Sequence, residues 1–90
     1  MKRTNPKTRP ITPRQADTLR AIADQVAATG AGPTIRELAR TLQVPSISSV
    51  HHHVRSLDLK GLITHVPGAK RSLGVTEAGW EVLRARLARS

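Results

Sequence analysis

The 90 residues carry 15 lysines and arginines against six aspartates and glutamates, a net charge of +9. This permits one small domain and favours a polyanionic partner, with nucleic acid ahead of an anionic membrane surface. Cysteine is absent and Trp80 is the only aromatic residue, which excludes disulfides, thiol nucleophiles and single-strand grooves that stack bases on several rings. No apolar stretch is long enough to span a bilayer or resembles a signal peptide, so we expect a cytoplasmic protein that does not enter a membrane.

Residues 1–11 form a predicted flexible arm that contains no acidic residue. Such an arm can follow a phosphate backbone, and a solvated, solubilising tail is an equally good interpretation of its charges. The cations concerned are Lys2, Arg3, Lys7 and Arg9.

Three helices are predicted after the arm. Residues 12–15 (Thr-Pro-Arg-Gln) and 34–37 (Thr-Ile-Arg-Glu) have the capping-box pattern that begins a helix. The first helix should end at residues 30–32 (Gly-Ala-Gly), the second should have about two turns, and Ser46 should cap a third that runs to about Lys60. Each has one apolar side at helical spacing: Ala16, Leu19, Ile22, Ala23 and Val26 in the first, Ile35, Leu38, Ala39 and Leu42 in the second, and Ile47, Val50, Val54 and Leu57 in the third.

A β-hairpin is predicted next. Gly61 fits the left-handed position after the third helix, and residues 62–66 and 72–76 read as two strands around a basic tip at residues 67–71. Thr76 is a plausible cap for a fourth helix, from Glu77 to about Ala88.

The fourth helix has two apolar faces. Trp80, Leu83 and Leu87 lie on one, and Ala78, Val82 and Ala85 lie roughly opposite. We expect the Trp80 face to pack on the domain and the Ala78 face to stay exposed, where it forms a homodimer seam or, as a row of small residues, simply faces solvent.

These elements predict a mainly α fold with a small β-hairpin (α+β), a winged helix-turn-helix over residues 12–76 with a C-terminal helix at 77–90. In this architecture the third helix enters the major groove of double-stranded DNA. Its outward face is small and polar and carries Arg55, while Arg36 lies in the first turn of the second helix, where this fold meets the phosphate backbone. The alternative is a winged-helix interaction module, such as an anti-repressor or assembly factor, that binds an acidic protein.

Residues 11–15, 33–39, 46–54 and 60–63 also carry a family resemblance. They resemble the DNA-binding domain of LexA, the bacterial SOS repressor, over about residues 11–75. The resemblance implies a sequence-specific transcriptional repressor of bacterial or phage type, associated with the nucleoid. It also implies base or phosphate contacts by the start of the third helix and backbone contacts by the wing; the residues are Ser46, Ser48, Ser49, His51 and His52 in the helix, and Lys70 and Arg71 in the wing.

The sequence departs from that family in three places. The acidic residues that the family often has at His51 and His52 are absent, and no self-cleaving protease domain with a Ser-Lys dyad fits within 90 residues, so we expect no self-cleavage. Residues 76–80 (Thr-Glu-Ala-Gly-Trp) and the helix after them resemble instead the tail of small MarR-type regulators, whose terminal helices often build a homodimer.

Residues 51–53 are three consecutive histidines. Successive helical residues diverge by about 100°, so the three rings cannot converge on one ion, and we expect no metal and no cofactor. His53 lies at the edge of the apolar side, where we expect it packed and hydrogen-bonded. The Ser, His and Asp side chains that a hydrolase would need share one helix without a concave pocket, so we expect no enzyme activity.

Overall fold

A computed structural model describes residues 11–66 and 71–89, with four helices and one two-stranded sheet. None of the helices within these ranges is long and apolar enough to cross a membrane. The predicted winged helix-turn-helix fold is confirmed. In chain order the elements are α1 (Pro13–Thr29), α2 (Ile35–Leu42), α3 (Ile47–Leu59), β1 (Ile63–Thr64), β2 (Gly74–Val75) and α4 (Glu77–Arg89).

Both predicted capping boxes are formed. The Thr12 hydroxyl accepts a hydrogen bond of 3.1 Å from the Gln15 amide, and Gln15 Oε1 accepts one of 3.3 Å from the Thr12 amide. At α2 the Glu37 amide donates to the Thr34 hydroxyl at 3.1 Å, and the Thr34 amide donates to Glu37 Oε1 at 3.0 Å. Each pair satisfies two backbone donors that the first helical turn leaves without a helical partner, and so fixes where its helix begins.

Left-handed residues end the first three helices. Gly30 has φ 82° after α1, Gln43 has φ 57° after α2 and Gly61 has φ 74° after α3; of these, the left-handed conformation was predicted for Gly61. The Leu62 amide donates a hydrogen bond to the Leu57 carbonyl, and the Gly61 amide donates one to the Asp58 carbonyl. These are the two hydrogen bonds of a Schellman motif. These sharp endings set the short turns that bring α2, α3 and the hairpin together.

The apolar sides of α1, α2 and α3 meet in one core, joined by Leu62, Ile63, Leu73 and Leu83. The stripes predicted for α1 and α2 are confirmed as buried or packed against this core. In α3, Val50, Val54 and Leu57 are buried, whereas Ile47 is 42% exposed because it lies in the first turn, beyond the edge of the core.

The hairpin is shorter than predicted. Its antiparallel ladder pairs only Ile63 with Val75 and Thr64 with Gly74. Outside that ladder, the Ser72 hydroxyl accepts a hydrogen bond of 3.0 Å from the Val66 amide and donates one of 3.1 Å to the Val66 carbonyl. A side chain therefore closes the hairpin two positions beyond the Thr64–Gly74 pair, where a backbone pair was expected.

The prediction for α4 was right about Leu83 and Ala85 and wrong about Ala78, Val82 and Trp80; the side chain of Leu87 lies outside the described residues. Ala78 and Val82 pack against the core and Leu83 is buried, whereas Trp80 is 36% exposed. The physical reason is Gly79: a Cβ at this position would overlap the carbonyl oxygen of Leu62, so the helix backbone touches the domain at this point. The face centred on Gly79 and Leu83 is thus the buried one, and Ala78 and Val82 do not form a free stripe.

Candidate nucleic-acid interface

The exposed face of α3 begins at its cap. The Ser46 hydroxyl accepts a hydrogen bond of 3.4 Å from the Ser49 amide and fixes the start of the helix. From there the helix shows solvent a run of polar side chains opposite Val50, Val54 and Leu57, as the sequence pattern predicted. Ser48, Ser49, His51, His52 and Arg55 are all exposed, and Ser46 is half-buried.

A groove of about 500 Å³ runs between α3 and the residue that follows β1. It brings together four of the predicted helix residues, Ser48, His51, His52 and Arg55, with two groups that the sequence reasoning did not assign to the site, Asp58 and His65. The full lining is Ser48, His51, His52, Val54, Arg55, Asp58, Leu59 and His65. Strand alternation could not have found His65, because it puts this residue on the same side as the buried Ile63, whereas His65 is exposed.

Arg36 is exposed in the first turn of α2, as predicted. Within residues 11–66 and 71–89, no group of three or more histidine, aspartate or glutamate side chains is arranged to hold a metal ion. The exposed face of α3 offers hydrogen bonding by hydroxyl and imidazole groups together with the positive charge of Arg55.

His53 differs from its two neighbours in sequence. It is half-buried, and its Nδ1 atom is buried without a hydrogen-bond partner, so the hydrogen-bonded packing predicted for this residue is not formed at that nitrogen. Burial lowers the pKa of His53, and the nearby charges of His52 and Arg14 lower it further. His53 is thus less exposed than His51 and His52, and its imidazole does not share their exposed face.

Arg71 lies three residues before β2, and its guanidinium group is bound to Glu37 in the first turn of α2. Nη1 donates to Glu37 Oε1 at 2.9 Å and Nη2 donates to Glu37 Oε2 at 2.7 Å. The hydrogen bonds from Arg71, followed by the one from the Thr34 amide, hold the pKa of Glu37 below its usual range. Local sequence patterns do not predict this pair, because its members are 34 residues apart.

The remaining predicted contacts fall outside the described residues. They are Lys2, Arg3, Lys7 and Arg9 of the arm and Lys70 of the wing.

Comparison with known proteins identifies the family. A family model described as LexA DNA binding domain matches residues 8–72. The LexA repressor of Shewanella sediminis is 40% identical over 70 residues, which cover 78% of this chain and 34% of the relative. The LexA repressor of Ligilactobacillus salivarius is 41% identical over 70 residues, 78% of this chain and 34% of the relative. The LexA repressor of Anaeromyxobacter sp. is 40% identical over 73 residues, which cover 81% of this chain and 32% of the relative.

This chain therefore spans about a third of the length of these relatives. The match covers α1, α2, α3 and the hairpin up to Ser72. It therefore includes α3 with its exposed polar face and the two helices that pack against its apolar side. The resemblance seen in the sequence is confirmed, and the chain belongs to the LexA DNA-binding domain family.

Proposed function

We propose that this chain is a sequence-specific, double-stranded DNA-binding transcriptional repressor that inserts α3 in the major groove. The observation that carries the proposal is the polar face of α3, which is exposed along the helix while the opposite face is anchored in the core. A major groove about 12 Å wide admits one helix. Because Ser48 and Ser49 are short, the start of α3 can come close to base edges.

Each exposed side chain of α3 has a role in this proposal. Ser48, His51 and His52 present hydroxyl and ring-nitrogen groups that hydrogen-bond base edges, and Ser46 and Ser49 sit at the helix start, where backbone amides favour a phosphate. Arg55, Arg36, Lys70 and the cations of residues 2–9 neutralise flanking phosphates. Bound in this way, the protein would repress by blocking access of RNA polymerase to its site.

The experiment begins with selection of bound duplexes from a random pool. Binding of the selected duplex and of a random duplex is then measured against salt concentration, and both should weaken steeply as salt rises because phosphate contacts release counterions. Ser48→Ala and His52→Ala should lower the affinity for the selected duplex more than that for the random one. The matched control is Ser56→Ala, at a half-buried serine nearer the end of the same helix.

Two outcomes would overturn parts of this proposal. Equal losses on both duplexes would reassign Ser48 and His52 to backbone positioning. No binding to any duplex at low salt would reject DNA binding and favour the interaction module that binds an acidic protein.

We also propose that the repressor acts as a homodimer joined through α4. Since Ala78 and Val82 pack on the core, the seam must use the opposite side of the helix, where Trp80 is 36% exposed. Two linked domains on two half-sites gain affinity from effective concentration. Sedimentation of the protein alone and on its selected duplex tests this, and a monomer in both states would reject it.

A further inference from the structure

The second arm of the hairpin meets the start of α2 at two places. A Cβ at Gly32, in the loop before α2, would overlap the carbonyl oxygen of Leu73, so the two backbones are in direct contact. Two residues before Leu73, the guanidinium of Arg71 donates hydrogen bonds to both carboxylate oxygens of Glu37. The pair thus lies beside a close backbone contact and adds a second, directional link between the hairpin and α2.

The Glu37 carboxylate is also held by a contact that does not involve Arg71. Its Oε1 atom accepts a hydrogen bond of 3.0 Å from the Thr34 amide, and its own amide donates to the Thr34 hydroxyl at 3.1 Å. The capping box therefore sets the direction in which the carboxylate points. A planar guanidinium that meets a fixed carboxylate through two parallel bonds is held in orientation as well as in distance.

Arg71 is also unusual in its backbone. Its φ of 56° lies in the left-handed region that residues with a side chain rarely adopt. The neighbouring Ser72 makes the two hydrogen bonds to Val66 that close the hairpin. The backbone turn at Arg71 therefore joins the closed base of the hairpin to the side chain that reaches α2.

The charge of Arg71 is compensated by Glu37. An arginine paired with a carboxylate contributes little to counterion release at a phosphate, because its field is already neutralised at short range. This separates Arg71 from the lysines and arginines that can neutralise phosphates.

From these observations we propose that Glu37 and Arg71 form a positioning pair, which fixes the hairpin against α2 at the angle at which the hairpin meets DNA. Arg71 then acts through the position of the hairpin and is not itself a phosphate contact, contrary to what the family resemblance implied. The inference rests on the proposed function, DNA binding by this domain.

The test uses the selected duplex and three variants of the whole chain. Glu37→Gln keeps an oxygen for the Thr34 amide, as a capping box with Gln does, and removes the charge of the pair. Arg71→Gln removes the guanidinium, and Arg71→Lys keeps its charge but not its two-pronged geometry. Both side chains are more than a third exposed, at 45% for Arg71 and 37% for Glu37, so we expect the variants to fold.

Under the proposal, all three variants weaken duplex binding by about two- to fivefold, the range that corresponds to an exposed ion pair. The double variant Glu37→Gln with Arg71→Gln loses no more than the weaker-binding single variant, because both disrupt the same contact. The slope of log affinity against log salt stays that of the wild type. Asp17→Asn, at an exposed position on α1, raises the net charge as much as Glu37→Gln does and should not weaken binding.

A phosphate contact by Arg71 predicts different results. Glu37→Gln would then bind as tightly as Asp17→Asn or more tightly, Arg71→Lys would keep most of the affinity, and Arg71→Gln would flatten the salt slope by about 0.9. Any of these results overturns the inference. If the wild type binds no duplex, the proposed function fails and the inference with it, whereas wild-type binding with these results rejects the pair alone.

A hydroxyl-radical footprint distinguishes positioning from general stability. The proposal expects Glu37→Gln and Arg71→Gln to lose protection at the flanks of the half-site while protection at its centre persists. Uniform loss over the whole site would mean that the pair only stabilises the domain, which would also overturn the inference.

Discussion

The side chain of Lys60, at the end of α3, donates a hydrogen bond of 2.7 Å to Oε1 of Gln15, in the first turn of α1. The same oxygen accepts the hydrogen bond from the Thr12 amide. Gln15 is only 8% exposed, so one buried carbonyl both caps α1 and joins it to α3 across 45 residues of sequence. The orientation of α3 therefore depends in part on a polar contact on the side of the helix away from its exposed face.

Gln15→Ala should lower the free energy of unfolding by about 1–2 kcal/mol. It removes the reciprocal half of the capping box and one hydrogen bond of the Lys60 ammonium, and each such loss is typically worth about 1 kcal/mol. Urea unfolding monitored by circular dichroism measures the change. Gln25→Ala, at a half-buried position in the same helix, is the matched control, and an equal loss in both variants would show that the Lys60 contact adds nothing.

Gly32→Ala and Gly30→Ala should both destabilise the protein, and Gly32→Ala more strongly. At Gly30 a Cβ meets nothing within 4 Å, so the cost is only that of the left-handed conformation, about 1–2 kcal/mol. At Gly32 a Cβ overlaps the backbone of Leu73, which cannot move without shifting the hairpin. Overpacking of this kind costs about 1–3 kcal/mol and sometimes more.

The two glycine variants are compared by thermal unfolding and by their affinity for the selected duplex. Gly32→Ala should also weaken DNA binding, because the hairpin must shift, while Gly30→Ala should not. The reverse order of stabilities would contradict the close approach of Gly32 to Leu73.

His53 should make the stability of the domain depend on pH. Its pKa is lowered from the ordinary value of 6.5 in the folded state, first by burial and then by repulsion from His52 and from Arg14 on α1. The unfolded chain therefore takes up a proton that the folded protein resists. Stability conferred by the neutral imidazole is complete above about pH 6.5 and is lost as the pH falls below that value toward the folded-state pKa.

Urea unfolding at several pH values between 7.5 and 5.5 measures this loss, and His53→Leu should flatten the curve in that window. The lowered pKa of Glu37 acts in a separate range, since its contribution is lost only as the pH falls below its ordinary value of 4.5. Identical pH dependence of the wild type and His53→Leu between pH 7.5 and 5.5 would contradict the role of His53.

Local features of this fold could be predicted from the sequence because they depend on residues three or four apart. The capping boxes form between Thr12 and Gln15 and between Thr34 and Glu37, so both partners lie in one short segment of sequence. Gly61 adopts its left-handed conformation because it has no side chain. The polar face of α3 follows from helical periodicity in the same way. For this reason the helices and most of the exposed residues of the candidate interface lie where the pattern placed them.

Contacts between distant segments could not be predicted in this way. Nothing in the local pattern pairs Arg71 with Glu37 or Lys60 with Gln15, since lysines and arginines usually face solvent wherever they occur. The short hairpin depended on the Ser72 hydroxyl taking a place where a backbone group was expected. Helical periodicity also did not predict the buried face of α4, because the sequence has two apolar faces that could each pack on the core. The close approach of Gly79 to Leu62 determines which face is buried.

The corrected placement of α4 gives opposite expectations for its two faces. Val82 packs against the core, so Val82→Glu puts a charge in an apolar environment and should lower the free energy of unfolding by on the order of 3 kcal/mol or more. Trp80 is the more exposed of the two, so Trp80→Glu should cost less, about 1–2 kcal/mol, and leave a folded domain. Circular dichroism with urea unfolding measures both changes.

Sedimentation of the same two variants then tests the homodimer. If the Trp80 side of α4 is the seam, Trp80→Glu gives a folded monomer that binds the selected duplex weakly, because it lacks the effective concentration of a linked pair. Val82→Glu would lose fold and association together, since its change reaches the seam only through the core. A Val82→Glu protein that is as stable as the wild type but monomeric would return the seam to the Ala78 face of α4, and would contradict the packing of that face on the domain.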